Sequence, residues 1–433
     1  MGDLKNIEVP PFFICPISLE IMKDPVTLAT GITYDRGSIE TWLYVKKNNT
    51  CPVTKQVLED IDHQLITPNH TVRRLIQAWC TLNPLSGVER LPTPRLPISK
   101  PQILKLLKDL KYPNLQMKSL KRLKVIVMEN ETNKRSMEAV GAVDYLTHIL
   151  DDYNNNNNNM ITSLSSSPAG EYSDVEALME FVTPVDEAIS ILYHMHLSQS
   201  GLQGLFAKTT SGFIDTLTRV MQRATSYETR TYVVMLLKSM FDAAENSNMT
   251  TSLKHEFFVE LVRVMTDQIS QKATKTTLKL LINVCLSGRN RIRAAEAAVV
   301  PALIDILLDS TDRRLSEMAL LSLDQLCQCA EGRSELLKHG AGLAIVSKKI
   351  FRVSTVASDR AVRIVHSVAK FSGNANVVAE MLQIGVVGKL CLVLQVDCGT
   401  KMKEKAIEIL KMHARVWSNS PCIPHNLISS YPS

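Results

Sequence analysis

Cysteine and histidine side chains near the N-terminus have the chemistry to hold a zinc ion, so their spacing is informative. Cys15 and Cys51 each begin a Cys-Pro pair, Cys80 falls in a helical stretch, and the histidines are His63 and His70. Structural zinc sites take four ligands and usually include two cysteines separated by about two to four residues. Because the sequence contains no Cys-x-x-Cys, we expect that no metal ion holds these loops and that no cofactor is needed.

The other chemistry open to cysteine is nucleophilic attack, which requires a nearby base or cationic group that favours the thiolate. Cys285, Cys327, Cys329 and Cys391 instead lie in apolar stretches of helical pattern, which favours packing in a core. The nine cysteines are odd in number and scattered, a pattern typical of reduced thiols in the cytosol or nucleus. A glycine-rich phosphate loop, a nucleophile elbow and a metalloprotease helix are also missing from the sequence.

Charged residues beside the turns of the same region offer another way to hold its loops. These residues are Glu20, Lys23, Asp24, Asp35 and Arg36. Charge-assisted hydrogen bonds from such side chains would brace the loop ends, although plain solvation of several of them is an equal alternative. We therefore predict that polar bonding takes the place of metal coordination.

One short helix is predicted to position these groups. Its pattern runs from about Asp35 to Lys46 and places Ile39, Trp42 and Leu43 on a single stripe. Leu43 is expected in the core. Trp42 has two interpretations, since a tryptophan is either buried or, as at many protein interfaces, part of a binding surface.

The composition is that of a soluble protein long enough for two or more domains, with 433 residues, 45% hydrophobic and 21% charged. A net charge of +6, carried in short and dispersed basic clusters, does not indicate nucleic-acid binding. The N-terminus lacks the pattern of a signal peptide, and no apolar run approaches the ~18 residues of a membrane span. We expect a cytoplasmic or nuclear chain without a transmembrane segment.

The chain divides by composition into unequal parts. Short extended pieces and turn residues predict a small α+β domain over residues 8–82. Five prolines between residues 84 and 101 forbid continuous helix and predict a semi-extended linker, residues 83–100. The remainder has helical periodicity over residues 101–418, followed by a tail at 419–433.

This helical part repeats itself. Similar apolar segments begin at Gly212, Glu256, Ala298, Gly340 and Gly385, in steps of 44, 42, 42 and 45 residues. A period of about 40 to 47 residues with two or three helices is typical of armadillo or HEAT repeats. Glycine before a second helix, which allows a tight bend, favours the armadillo form. The predicted fold is therefore mostly α, with an armadillo-type α-solenoid after the small domain.

One period is longer than the others. An earlier copy of the repeat begins at Gly141, and the distance from there to Gly212 exceeds one period, which leaves room for an insertion. The extra residues include the asparagine run at 154–159 and the serine-rich stretch after it. Such a composition cannot bury a core, so a disordered insertion is predicted at about 151–174.

The small N-terminal domain contains five motifs in a fixed order. These are CPIS, DPV, GITYDR, CPVT and the closing stretch LITPNHTVRRLIQAW. Over nearly its whole length this domain resembles the U-box, a zinc-free relative of the RING domain. The pairing of a U-box with armadillo repeats is similar to a large class of plant ubiquitin ligases.

The resemblance implies a role for named residues of the small domain. In U-box proteins a groove for the ubiquitin-conjugating enzyme is walled by the first loop, the helix and the second loop, which correspond here to Ile17, Leu19, Trp42 and Pro52. A basic residue after the second loop motif restrains the ubiquitin thioester, and Lys55 holds that position; the alternative is a solvated lysine. Lysine is less suited than arginine to a bidentate contact. Ligases of this type carry no covalent ubiquitin themselves.

In armadillo arrays, the last helix of each repeat presents a polar residue to a bound extended chain. Aligning these helices by their apolar pattern places this position at His194, Ser239, Asn283, Gln325 and Ser367. A row of polar side chains at repeat spacing would pair with the backbone of a bound substrate. The equal alternative is the solvated side of amphipathic helices.

Two functions follow from these patterns. The first is a ubiquitin ligase whose repeats hold protein substrates, with ubiquitin and a conjugating enzyme as partners, in plant stress or immune signalling that leads to proteasomal degradation. The second is a noncatalytic armadillo scaffold with a decayed U-box. The sequence leaves self-association open, although related ligases often self-associate.

Overall fold

In the computed structural model, the described residues are 9–46, 48–58, 66–82, 98–161, 182–208, 212–224, 226–244, 252–267 and 270–417. The chain is mostly helical with one small sheet, which confirms the predicted class. By its contacts it divides into two compact units: Met1–Leu146 with His194–Leu197, and Thr147–Tyr193 with Ser198–Ser433. The small N-terminal domain therefore belongs to the same compact unit as the first helices of the repeat region.

The N-terminal domain is built around a three-stranded antiparallel sheet. Strand β1 lies between β2 and β3, with Val26 opposite both Tyr34 and Pro68. The predicted helix is present as α1, which continues into a π-helical turn. In chain order the elements are a 3-10 turn (Pro11–Phe13), β1 (Pro25–Leu28), β2 (Thr33–Asp35), α1 (Arg36–Glu40), the π-helical turn (Thr41–Val45), β3 (Ile66–Pro68) and α2 (His70–Leu82).

Apolar side chains from these elements meet in one core, and the prediction that Leu43 belongs to it is confirmed. Asn69 joins the sheet to α2, since its Nδ2 donates to Thr27 Oγ1 at 3.1 Å and its Oδ1 accepts from Val72 N–H at 2.9 Å. The core side chains include Phe13, Met22, Val26, Leu28, Tyr34, Ile39, Leu43 and Ile76.

Three further helices complete the described helical part of the first unit before its boundary: α3 (Lys100–Asp109), α4 (Pro113–Glu129) and α5 (Glu131–Ala139). Proline at the first position of α4 starts that helix, because its fixed φ suits a helix and its missing N–H is not needed there. The start of α5 is fixed by Asn130, whose side chain accepts from the Asn133 N–H at 2.7 Å.

The second unit is a stack of helices in repeats. The longest helix of each repeat packs on its counterpart in the next one, as α10 on α12, α12 on α15, α15 on α18 and α18 on α21. The remaining elements in chain order are α6 (Ala142–Ile161), α7 (Pro184–His194), α8 (Gln199–Ala207), α9 (Phe213–Arg223), α10 (Tyr227–Ala243), α11 (His255–Thr266), α12 (Gln271–Val284), α13 (Gly288–Glu296), α14 (Val299–Asp309), α15 (Arg313–Leu326), α16 (Ala330–Lys338), α17 (Gly342–Lys349), α18 (Thr355–Ser372), α19 (Ala375–Gln383), α20 (Val386–Gln395), α21 (Thr400–Met412) and α22 (Ala414–Trp417).

A left-handed residue precedes the second helix in four repeats. Gly141, Gly212 and Gly385 take φ of 77°, 91° and 74°, a conformation that suits glycine. Ala298 holds the same position with φ of 60° despite its side chain. Gly340 departs from the pattern, since its repeat enters α17 without a left-handed residue. The bend is thus a property of the repeat and not of glycine alone.

The predicted insertion begins differently from expectation. Helix α6 continues through residue 161, so the backbone of residues 151–161 is helical where a disordered loop was predicted. Asparagine is only mildly unfavourable in a helix, and α6 starts from a well-buried segment that includes Leu146 and Leu150, from which each added residue gains one hydrogen bond. The rest of the insertion, most of the linker and the tail lie outside the described residues.

Among the described residues, no single helix is long and apolar enough to cross a membrane. One helix pair, Ala375–Gln383 with Val386–Gln395, meets the length and composition only when taken together, and it is bent by 65° at its break.

Candidate functional site

Two loops of the N-terminal domain have the same backbone geometry. In the first, Cys15 N–H donates to the Glu20 carbonyl at 2.8 Å, and Leu19 N–H donates to the Cys15 carbonyl at 2.9 Å. Ile14 and Ile21 form a β-bridge that closes the loop. Leu19 takes a φ of 58° and is 76% exposed. The loop therefore presents an apolar side chain to solvent on a left-handed backbone.

The second loop repeats this arrangement at Cys51. Its N–H donates to the Gln56 carbonyl at 2.9 Å, and Lys55 N–H donates to the Cys51 carbonyl at 2.9 Å. Thr50 and Val57 form the closing bridge. Lys55 takes a φ of 60° and is exposed, so it holds the place that Leu19 holds in the first loop.

The two loop sulfur atoms accept hydrogen bonds. Cys51 Sγ lies 3.1 Å from the Tyr34 hydroxyl and 3.4 Å from Thr30 Oγ1. Tyr34 also accepts from the Val53 N–H at 3.3 Å, and Cys15 Sγ accepts from a backbone N–H of β2 at 3.3 Å. Within the described residues, no three side chains of His, Cys, Asp or Glu come together in a group that would hold a metal ion. His63 lies outside the described part of the chain.

These bonds set the ionisation of the second thiol. Burial raises the pKa of Cys51, but hydrogen bonds from Thr30, Thr54 and Tyr34 outweigh it and lower the pKa to about 6. Burial opposes ionisation of Cys15 as well, yet hydrogen bonds that include those from Ser18 overcome this effect and lower its pKa. Each sulfur thus acts as a hydrogen-bond acceptor around which donors of its loop gather.

Carboxylates brace the junction between the first loop and the helix. Asp35 Oδ1 accepts from the backbone N–H groups of Lys23 and Asp24, at 2.8 Å and 3.0 Å. Asp24 Oδ2 in turn accepts from Arg36 Nε at 2.6 Å. Glu20 differs from the prediction for its side chain, which is exposed and forms no hydrogen bond within the described residues. It supports the loop through its carbonyl alone, because it lies on the outer side of the turn.

Trp42 connects the helix to the second loop. Its Nε1 donates to the Thr50 carbonyl at 2.8 Å, and its ring is half-buried. The ammonium groups of Lys46 and Lys55 lie 5.8 Å and 5.9 Å from its ring centroid, which is within cation–π range. Trp42 is therefore a structural tie with a partly accessible ring, and its place in a binding surface stays a prediction.

A shallow pocket lies beside this tryptophan. It brings together Ile17 from the first loop with Trp42, as predicted for the groove residues, and adds Ser38, Thr41 and Lys46 from the helix. Leu19 and Pro52 do not line this pocket. The lining combines apolar Ile17 and Trp42 with polar and basic side chains and the carboxylate of Asp35, which suits a protein partner with an apolar anchor.

Sequence reasoning missed three contributors to this region. Val53 is 52% exposed and is the second-loop counterpart of Ile17, a relation already visible in the shared Cys-Pro-x spacing. Tyr34 and Thr30, which bond to the Cys51 sulfur, carry no signal of that role in the local sequence.

A further buried contact joins the domain to α5. Glu40, on α1, is 1% exposed, and its Oε1 accepts from Thr132 Oγ1 at 2.7 Å. Its Oε2 accepts from the Glu131 N–H at 3.2 Å, and Arg36 lies 3.7 Å away. Nearby, the Arg135 guanidinium stacks 3.4 Å from the Tyr44 ring centroid. The side of the helix away from the pocket is thus tied to the first repeat.

Four of the predicted substrate positions lie on the long helices of the second unit, and their side chains are already hydrogen-bonded. Asn283 Nδ2 donates to Asp242 Oδ1 at 3.2 Å. Gln325 Nε2 donates to the Ile282 carbonyl at 3.3 Å. Each of these bonds links one long helix to the preceding one. Two further members of the row donate to backbone carbonyls: Ser367 to Cys327 at 2.7 Å, and Ser239 to Met235 at 3.0 Å.

His194, the fifth member, is the last residue of α7 and is half-buried. In the row as a whole, one buried acceptor stands out, since Gln325 Oε1 has no hydrogen-bond partner within the described residues. These positions stay a prediction as a substrate surface, and three of them, Asn283, Gln325 and Ser367, also bond to the preceding repeat.

The repeat cysteines are mostly internal. Cys285, Cys327 and Cys391 are buried, as predicted, whereas Cys329 is half-buried beside the start of α16. Burial raises the pKa of Cys285 to about 12, and it also raises the pKa of Cys327. Such thiols stay protonated at neutral pH and are poor nucleophiles.

Comparison with known families and proteins agrees with this geometry. The family model of the U-box domain matches residues 9–84, and that of the plant U-box protein ARM repeat region matches residues 102–433. Two proteins of Arabidopsis thaliana are similar along their whole length. E3 ubiquitin-protein ligase PUB22 is 50% identical, covering 99% of this chain and 100% of its own. E3 ubiquitin-protein ligase PUB23 is 51% identical, covering 99% and 98%.

Solved structures add a likeness of fold. A chain from the structure titled "A conserved phosphorylation switch controls the interaction between cadherin and beta-catenin in vitro and in vivo" superposes with a TM-score of 0.52 at 13% identity, over 81% of this chain and 58% of that one. Two family models match consecutive parts of the chain, and two relatives are about half identical to it, so all four findings indicate the same family. The chain belongs to the plant U-box, armadillo-repeat family of E3 ubiquitin-protein ligases.

Proposed function

We propose that this ligase recruits a ubiquitin-charged conjugating enzyme at the two loops and the Trp42 pocket, and transfers ubiquitin to lysines of proteins held by its repeats. The observation that carries this proposal is the bond from Trp42 to Thr50, which fixes the helix against the second loop. Each loop also exposes an apolar side chain, Leu19 in the first loop and Val53 in the second. When an apolar surface of this kind is already rigid, binding a partner does not require the loss of entropy that ordering its loops would cost.

The test is self-ubiquitination of the full chain with activating enzyme, conjugating enzyme, ubiquitin and ATP. Ile17→Ala should reduce the rate at least tenfold by removing an apolar contact of the pocket, in keeping with the effect of a hot-spot truncation. Leu75→Ala, an equally apolar exposed change on α2 outside the pocket lining, should leave the rate unchanged. Equal rates for both variants would contradict the proposed surface.

Lys55 is proposed to restrain the ubiquitin thioester once the conjugating enzyme is bound. Its backbone is left-handed, and its ammonium lies 5.9 Å from the ring centroid of Trp42, a residue that lines the pocket. Restraint of a tethered reactant accelerates transfer through orientation, not through affinity. Lys55→Ala should therefore slow ubiquitin discharge while the conjugating enzyme binds with unchanged affinity, and Lys55→Arg should retain discharge or raise it. A loss of affinity equal to the loss of rate would assign Lys55 to binding instead.

The row of polar residues on the long helices is proposed to hold an extended segment of a protein substrate. The spacing of one repeat between these polar side chains supports this, because it suits pairing with the backbone of an extended segment. Gln325→Ala should weaken capture of substrates by the purified full chain, whereas Gln383→Ala, exposed on α19, should not. Melting temperature is measured for both, since Gln325 also bonds to the preceding helix.

We further propose that this activity serves plant stress or immune signalling through proteasomal degradation, in the cytoplasm and also in the nucleus. Its architecture, common in such pathways, and its free cysteines support this. Plants that lack the protein can be complemented with wild type or with Ile17→Ala. If ligase activity is required, the stress response will be restored by wild type but not by Ile17→Ala. Self-association, frequent in related ligases, is tested by light scattering of the full chain.

A further inference from the structure

The α3–α4 hairpin concentrates positive charge. Residues 100–124 contain eight basic residues and one acidic residue, a formal charge of +7, which exceeds the +6 of the entire chain. Every one of the eight except Lys124 is exposed. The basic residues are Lys100, Lys105, Lys108, Lys111, Lys118, Lys121, Arg122 and Lys124.

Acidic side chains of the described residues do not pair with the exposed basic side chains of the hairpin. Among the described residues, none of the seven exposed basic side chains of the hairpin forms an ion pair. In the second unit, by contrast, several basic residues are paired, as Arg230 with Asp267 at 2.7 Å and Lys275 with Asp312 at 2.6 Å. The hairpin thus presents an open positive field, to which an anionic partner is complementary.

Apolar side chains stand at the bend of the same hairpin. Tyr112 is 62% exposed and Leu115 is 43% exposed, and they lie between Lys111 and Lys118 in the chain. Neither side chain belongs to the buried core of the hairpin, which contains residues such as Leu107. Within about two helical turns of the bend, the surface therefore alternates ammonium groups with exposed apolar groups.

We propose that the α3–α4 hairpin docks on the surface of an anionic lipid bilayer, with Lys108, Lys111 and Lys118 at the headgroups and Tyr112 and Leu115 in the interface. Seven of the eight basic residues are lysines, which act as point charges toward a diffuse negative surface, whereas arginine is the residue suited to bidentate reading of individual phosphates. Tyrosine favours the headgroup level of a bilayer, and clusters of four to eight basic residues are typical of such attachment. Exposed charges dispersed around an apolar bend fit a bilayer better than an acidic peptide, which would need a groove.

The effect of mutation follows from the number of charges removed. Each lysine near an anionic membrane surface changes partitioning by about fivefold, so the triple variant Lys108→Ala, Lys111→Ala, Lys118→Ala should bind roughly 100-fold more weakly. Added salt should weaken wild-type binding, because the attraction is screened within about 10 Å at 0.1 M.

The experiment is cosedimentation of the full chain with vesicles of phosphatidylcholine containing about one third phosphatidylserine, compared with phosphatidylcholine alone. Ubiquitination is not measured, so the result is independent of the proposed ligase surface. The matched control removes the same charge elsewhere, at the exposed Lys348, Lys401 and Lys411, and should bind as wild type does. Circular dichroism confirms that all three proteins are folded.

A second variant tests the apolar tip. Tyr112→Ala with Leu115→Ala keeps the charge and should weaken binding several-fold, most clearly at raised salt, where the apolar contribution remains. Three outcomes would overturn the proposal: equal binding to neutral and anionic vesicles, equal loss in the hairpin and control triple variants, or binding to polyglutamate or duplex DNA with none to anionic vesicles.

Discussion

Glu40 gives the sharpest test of how the U-box is held to the repeats. Its carboxylate is almost fully buried and accepts one hydrogen bond from the Thr132 hydroxyl and one from the Glu131 N–H at the start of α5. Hydrogen bonds to a charged group contribute about 1.5 to 3 kcal/mol each, and burial of the carboxylate offsets part of this. Glu40→Ala also leaves two donors without an acceptor. We expect a local destabilisation of about 2 to 3 kcal/mol at this contact.

Hydrogen exchange measures this contact directly. A loss of about 2 to 3 kcal/mol in local opening corresponds to roughly 30- to 150-fold faster exchange of amides that open through that contact. The increase is expected in peptides that cover α1 and α5, with no change in α15. Glu20→Ala is the matched control, because this glutamate of the same domain is exposed and its side chain has no bond within the described residues. Unchanged exchange at α5 in Glu40→Ala would refute the assignment.

The same residue predicts a pH dependence. Burial raises the pKa of Glu40 above its ordinary value of 4.5, and the hydrogen bonds from Thr132 and Glu131, together with the charge of Arg36, only partly oppose it. A raised pKa in the folded state means that protonation favours the folded contact. The stabilisation is therefore full below pH 4.5 and is lost as the pH rises through the folded pKa. Protection of α5, corrected for intrinsic exchange, should fall over that range in wild type and stay level in Glu40→Gln.

Three further predictions concern stability. The pKa of Cys51 is lowered from 9.0 to about 6, so the stabilisation that its thiolate gives the fold is full above pH 9 and is lost as the pH falls through 6. The melting temperature should follow this pH dependence in wild type but not in Cys51→Ala. Ala298→Gly should stabilise the fold by roughly 0.5 to 1 kcal/mol in urea titrations, because its φ of 60° is strained for alanine, and a loss of stability would contradict that. Asp324→Ala should destabilise by about 2 kcal/mol, since Arg360 and Arg363 share its buried carboxylate at 2.9 Å; an unchanged urea midpoint would refute this.

Periodic features of the sequence predicted the fold well. The helix from about Asp35 to Lys46 and the repeat spacing are both present, because apolar periodicity reflects which face of a helix must be buried. The bends at Gly141 and Gly385 were also predicted, since glycine favours a left-handed backbone, but the same prediction does not hold at Gly340. At Ala298 the same bend occurs without that mark. An alanine in the local sequence gives no signal of that conformation.

Polar contacts were less predictable. The charged residues near the turns identified Asp24 and Asp35 correctly as loop braces, yet they gave Glu20 the same role, because sequence position does not show which side of a turn faces solvent. The bond between Glu40 and Thr132 joins residues 92 positions apart. Such a contact depends on how two finished elements pack, so no pattern within either segment predicts it.

The positions of Trp42 and Glu40 on one short helix have a mechanical consequence. Trp42 faces the pocket and the second loop, whereas Glu40, two residues earlier, faces α5 from roughly the opposite side of the helix. A conjugating enzyme seated at the pocket would then be oriented relative to the first repeat by a single helix. Glu40→Ala should leave discharge of ubiquitin onto free lysine unchanged, since the pocket is intact, but broaden which lysines of the chain itself become modified. Mass spectrometry would identify the modified lysines. If Glu40→Ala speeds exchange at α5 but leaves the pattern of modified lysines unaltered, the Glu40 contact stabilises the fold without directing transfer.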